Sequence, residues 1–144
     1  MVEHVPNEDM VSRLIYRPRM FDDHSGLIWD VVFEFPKGEC ESTVWRKYAP
    51  ERGDVHTIGR EIEALIKRRN PHTSYTGFIS ANVGQVRSIR TARGHGFAVS
   101  HEPDEGLHHV EICFSPADGG LQKADRIELK LLLRQTFDEH VSAA

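Results

Sequence analysis

The chain has 144 residues and a formal net charge of −4, with 39% hydrophobic and 28% charged residues. That balance excludes an intrinsically disordered chain, and the length is enough for one domain with a core of its own. No apolar run approaches the ~20 residues that span a bilayer, and the opening MVEHVPNEDM lacks the basic and apolar segments of a secretory signal.

Only Cys40 and Cys113 carry thiols, so a disulfide framework is not expected; two free thiols in a cytoplasmic protein are. The charge is uneven. There are six basic and nine acidic residues up to position 50, eight and four from 51 to 95, and four and nine thereafter. A nucleic-acid binder is usually basic overall, so RNA is a partner that the net charge disfavours. The basic middle third is either a local anion patch or a region neutralised by the acidic end.

In chain order, residues 1–10 read as a flexible N-terminus and residues 11–144 as a single domain. Val11 to Tyr16 has strand composition, with Pro18 confining it to an edge or an end. Leu27, Trp29, Val31, Phe33 and Phe35 alternate with Ile28, Asp30, Val32 and Glu34, which is strand periodicity. Pro36-Lys37-Gly38 reads as a turn and Cys40 to Tyr48 as the returning strand. Pairing Phe35 with Glu39 sets Trp29 opposite Trp45, a cross-strand aromatic pair.

Asp54 to Arg69 predicts a helix. Asp54 is its expected N-cap, Ile58, Ile62, Leu65 and Ile66 form its apolar stripe, and Lys67, Arg68 and Arg69 suit the negative end of the dipole. Tyr75 to Val83, Val86 to Thr91, Phe97 to His101 and Leu107 to Phe114 read as four further strands. Glu102 to Gly106 is a turn between the last two. A long helix from Leu121 to His140 closes the chain, with Leu131-Leu132-Leu133 in a wide apolar face that docks on a sheet or serves a homodimer. The expected class is α+β: a mainly antiparallel sheet made of an N-terminal hairpin, a helix and four further strands, with the second, C-terminal helix packed on the sheet.

Four of nine histidines fall between Gly94 and Phe114. Pairing Glu102 with Leu107 puts Phe97, Val99, Val110 and Ile112 on one apolar face, with His101 opposite His108 at the turn end. His109, Glu111 and Cys113 then line the outer face. All three are possible zinc ligands, but same-face neighbours on one strand lie ~6.6 Å apart. His109 and Cys113 are therefore too distant for one ion, and no C-x-x-C, H-x-x-x-H or H-E-x-x-H spacing occurs. No metal and no cofactor is expected.

Arg87, Arg90 and Arg93 lead into Gly94-His95-Gly96. Glycines on both sides of His95 allow backbone N–H groups to approach a ligand, and guanidinium groups suit phosphate. The loop matches neither the P-loop nor the dinucleotide fingerprint. The leading expectation is a binding domain for a protein partner or a small anionic, phosphate- or nucleotide-like ligand.

In its broad order, a helix followed by a four-stranded antiparallel sheet carrying Arg and His, the chain resembles metal-independent ribonucleases of the barnase- and RelE-like class. That resemblance implies His95 or His101 as general base, with Arg87, Arg90 or Arg93 stabilising the phosphate transition state. It is one of architecture, and fold does not imply function. Glu102, Asp104 and Glu105 would repel a polynucleotide. An accessory protein acting only through protein–protein contacts is a third reading.

Overall fold

The computed structural model describes residues 1–26, 32–35 and 39–143. Strand β1 (Met10–Arg17) lies in the middle of the sheet because both its faces carry apolar side chains, Val11 and Ile15 on one and Leu14 and Tyr16 on the other. The other elements are β2 (Cys40–Trp45), α1 (Arg52–Ile66), β3 (Ser74–Asn82), α2 (Val83–Ser88), β4 (Gly96–His101), β5 (His109–Ser115), α3 (Lys123–Thr136) and β6 (Val141–Ser142). The six strands form one open antiparallel sheet in the order β4-β5-β2-β1-β3-β6. The class is α+β, with α3 packed on the sheet.

One face carries the larger core. Val11, Ile15, Trp45, Ile79, Val99, Val110 and Ile112 meet Leu129, Leu133 and Phe137 of the α3 region and Val83 and Val86 of α2. The α3 stripe is therefore spent on the sheet; Ile127 and Leu131 are its exposed large apolar side chains. The opposite face carries α1, whose Val55, Ile58, Ile62 and Ile66 pack on Leu14, Tyr16, Val44 and Phe78. Tyr16 pins this helix by donating to the Gly59 carbonyl at 2.9 Å. Burial pushes the Tyr16 phenol well above its ordinary range, which keeps the donor protonated.

Several expectations change. Cys40–Trp45 forms a strand, but it is flanked by β1 and β5, so residues 32–35 are not its hairpin partner. Phe33 and Phe35 fold over the core instead, against Phe137 at 4.9 Å and Phe114 at 4.2 Å. Trp29 and Pro36-Lys37-Gly38 lie outside the described residues. Glu41 holds the folded-over segment in place. Its carboxylate, 2% exposed, accepts from Phe35 N (3.0 Å), Glu34 N (3.3 Å) and the Arg13 guanidinium (2.8 Å).

Val86 to Thr91 is not a strand: Asn82 caps α2 by accepting from Gln85 N at 3.0 Å, and the local cap overrides the weak strand pattern. Glu51, not Asp54, is the α1 N-cap; Asp54 sits three residues in and accepts from Glu51 N. Leu65 leaves the predicted stripe and is exposed, and α3 stops at Thr136 so that the chain can add β6.

Part of the N-terminal segment, from Val5 to Asp9, contacts the rest of the domain. Val5 is buried, Asp9 accepts from Trp45 Nε1 at 2.8 Å, and Val83 and Gly84 donate to the carbonyls of Asp9 and Asn7. Cys40 and Cys113, directly opposed on β2 and β5, form a disulfide with Cα atoms 4.1 Å apart, which corrects the expectation of two free thiols. With both sulfurs in the bond, the cysteines no longer point to the cytoplasm. Among the described residues no helix is long and apolar enough to cross a membrane.

Candidate functional site

The Arg–His loop, where the sequence concentrates its candidate donors, is closed on itself. Thr91, Ala92, Arg93 and Gly94 make a closed turn: Gly94 N donates to Thr91 O (2.9 Å), and His95 N donates to the Thr91 hydroxyl (3.1 Å). The two backbone donors expected to face a ligand are therefore used within the turn. Gly94 has φ +87°, which suits glycine. At Gly96, a Cβ would run into the Arg90 guanidinium and the Ile89 carbonyl, so the close approach that glycine permits is to the chain itself.

His95 is fully buried. Its Nδ1 accepts from Ala117 N at 2.9 Å, and its Nε2 lies 3.5 Å from a carboxylate oxygen of Asp125. His101 is 1% exposed; its Nδ1 accepts from Glu3 N (3.0 Å) and its Nε2 meets the Leu107 carbonyl (2.8 Å), which fixes the tautomer. In both rings the lone pair that a general base needs is engaged by a backbone N–H.

The arginines diverge. Arg87 holds the N-terminal segment through Val5 O and Asn7 Oδ1, and reaches Val99 O at 3.2 Å. Arg90 folds onto the carbonyls of Arg87 and Ile89, and Arg93 lies 3.4 Å from Asp125. Each residue in the loop has a structural duty, and the structure does not gather His95, His101 and the three arginines around one concave surface.

A second place has the shape of a site. A pocket of about 380 Å³ opens beside α1 on its sheet face, bounded by Ile62 and Ile66 of the helix, Ser42 and Val44 of β2, and His108 and His109. Leu14, Met20, Val44, Ile62 and Ile66 supply apolar wall; Ser42, Glu105, His108 and His109 supply polar groups. Its volume falls in the range of small-molecule sites, and so does its mix of apolar wall and few polar groups. Burial, aided by neighbouring His109, holds the His108 imidazole below its ordinary range, so it is neutral at pH 7 and can both donate and accept.

The sequence did not mark this pocket. The sequence pattern sets His108 in a strand opposite His101, whereas β5 starts at His109 and the true register pairs His101 with Val110. The hairpin has slipped by two residues, because Pro103–Glu105 forms a single 3-10 turn and His109 N closes on Gly106 O at 2.8 Å. An even slip keeps every side chain on its predicted face, so Phe97, Val99, Val110 and Ile112 are in the core as expected, while His108 moves into the connection.

A third cluster lies on the same outer sheet face beyond the pocket. His109, Glu111 and Cys113 follow one another on β5, with Cys40 across from Cys113 and Ser42 across from Glu111. His109 Nε2 lies 3.4 Å from Glu111 Oε1. Comparison with family models, with curated proteins and with solved structures returned no match.

Proposed function

We propose that this domain binds a small amphipathic molecule in the pocket between α1 and β2. The observation that supports it is the mixed lining of the wall, in which apolar Leu14, Val44, Ile62 and Ile66 stand beside polar His108, His109 and Ser42. An apolar body gains by leaving water against the first set, and a head group with hydrogen-bonding oxygens meets two imidazoles and a hydroxyl in the second. Of the two charged residues in the lining, Arg13 is committed to the buried Glu41 carboxylate, so Glu105 sets the local sign and disfavours a head of high negative charge. This narrows the anionic-ligand expectation to molecules in which any anion is single and carried on an apolar frame. No reaction is assigned.

Two fluorescent probes test the reading: anilinonaphthalene sulfonate, an apolar body with one anionic head, and its uncharged analogue phenylnaphthylamine. Saturable enhancement with at least one probe is expected, with loss in Ile62→Trp, whose side chain fills the pocket, and weakening in His108→Ala. Binding that is equally strong in Ile62→Trp places the probe elsewhere and overturns the proposal.

A further inference from the structure

The outer face of β2 and β5 carries a set of metal-ligating groups that the ligand pocket does not use. Cys40 and Cys113 stand directly opposite each other, and Glu111 precedes Cys113 by two residues on the same face. One ligand atom from each of the three lies within 4.8 Å of the other two, and Glu111 Oε2 is 4.0 Å from Cys113 Sγ. All three side chains are half-buried, and Cys40 and Cys113 also line a surface depression of about 280 Å³ with Glu39, Phe114 and Leu121. The disulfide therefore borders the surface, where a reductant can approach it.

A row along one strand cannot bind an ion, because alternate residues are ~6.6 Å apart. The cross-strand pair removes that obstacle by bringing a second sulfur from β2 to the end of the row. Tetrahedral zinc takes sulfur at ~2.3 Å, which needs two sulfurs about 3.8 Å apart. Two residues already opposed across a ladder reach that spacing by side-chain rotation once the covalent bond between them is gone.

We propose that Cys40, Cys113 and Glu111 form a zinc site that the disulfide masks and reduction unmasks. A dithiol delivers two electrons and two protons to the sulfur–sulfur bond, yielding two thiols and leaving as its own disulfide. Zn²⁺ then binds as the two thiol protons pass to water, with the carboxylate of Glu111 as third ligand. A water or an external ligand holds the fourth position. Thiolate donors favour zinc over magnesium or calcium. His109, 3.4 Å from Glu111, is a positioning residue that orients the carboxylate. The inference is independent of the pocket reading, although His109 borders both.

Cobalt(II) and zinc(II) are the probes, added to the full chain with a phosphine reductant, which takes an oxygen from water and does not compete for metal. Reduced protein is expected to bind one equivalent, with the thiolate-to-cobalt charge-transfer band and the intense visible bands of tetrahedral cobalt, and with zinc displacing cobalt. Protein reoxidised with diamide is expected to lose that spectrum. Glu111→Gln, which keeps both cysteines, should weaken zinc more than His109→Ala does, and His109→Ala should cost on the order of 10- to 100-fold while keeping the tetrahedral spectrum. Equal metal uptake by the oxidised and reduced forms overturns the proposal, as does a reduced chain that takes no cobalt or binding that survives both Glu111→Gln and Cys113→Ser. Circular dichroism on the reduced variants shows that a loss of binding is not a loss of fold.

Discussion

The Arg13–Glu41 pair offers the sharpest test of how this fold is held. Glu41 is 2% exposed and the Arg13 side chain 14% exposed, with 2.8 Å between them. The same carboxylate accepts from two backbone N–H groups of the segment that folds over the core. Removing Glu41 leaves a nearly buried guanidinium without its partner and orphans both N–H groups. A charge-assisted bond is worth roughly 2 kcal/mol and each backbone bond about 1 kcal/mol, which sums to about 4 kcal/mol and agrees with the 3–5 kcal/mol lost when one half of a buried pair is removed. We expect Glu41→Leu to cost about 4 kcal/mol and Arg13→Met about 3 kcal/mol by urea unfolding at pH 7. The double variant has no stranded charge; it leaves the two N–H groups and the Val32 carbonyl, which Arg13 Nε meets at 3.1 Å, without their partners and should lose about 3 kcal/mol, far below the sum of the singles. Additive single costs, or a Glu41→Leu cost below about 1 kcal/mol, would refute the reasoning. The pair also has a pH signature. Burial pushes the Glu41 carboxyl up, opposed by Arg13 and the two backbone donors. A carboxyl with a raised folded-state pKa stabilises most below its ordinary value of 4.5 and gives that contribution up as pH rises through the folded value. Glu41→Gln, which cannot titrate, should flatten that limb.

Breaking the Cys40–Cys113 bond frees a loop with a sequence separation of 73. In the chain-entropy model that costs up to about 4 kcal/mol, so the urea midpoint should fall on reduction in metal-free buffer; an unchanged midpoint speaks against the bond as a stabilising link. His56, His108 and His140 are each held below the ordinary 6.5 chiefly by burial. The unfolded chain then binds more protons, so their joint contribution is full above pH 6.5 and lost as pH falls below it. The melting temperature should drop between pH 7.5 and 5.5, less so in His140→Gln, and a flat profile contradicts the assignment. A Cβ at Gly59 would come within 2.7 Å of three Tyr75 ring atoms; Gly59→Ala should cost about 1–3 kcal/mol in thermal or urea unfolding. Arg87→Ala should raise hydrogen exchange in residues 3–9 while leaving β5 protected, since Arg87 holds Val5 and Asn7 directly.

How much of this was legible depends on whether the deciding contacts are local. The α1 stripe of Ile58 and Ile62 and the apolar face of β4 and β5 follow from period alone, because each of these elements buries one side of itself. What failed was set by distant partners. The 32–35 segment has strand alternation, but the edge of β2 that it would have used is taken by β1, whose place in the middle of the sheet no local pattern records. The N-terminal residues look loose by composition and are held by Arg87, 82 residues away from Val5. The outer face of β2 and β5 shows the same limit. Strand geometry sets His109 and Cys113 too far apart to share one ion, but the residue that completes the proposed set, Cys40, comes from a neighbouring strand 73 positions earlier. A rule about spacing along one strand is blind to the strand beside it, and across that 4.1 Å gap thiol chemistry and metal chemistry compete for the same two sulfurs.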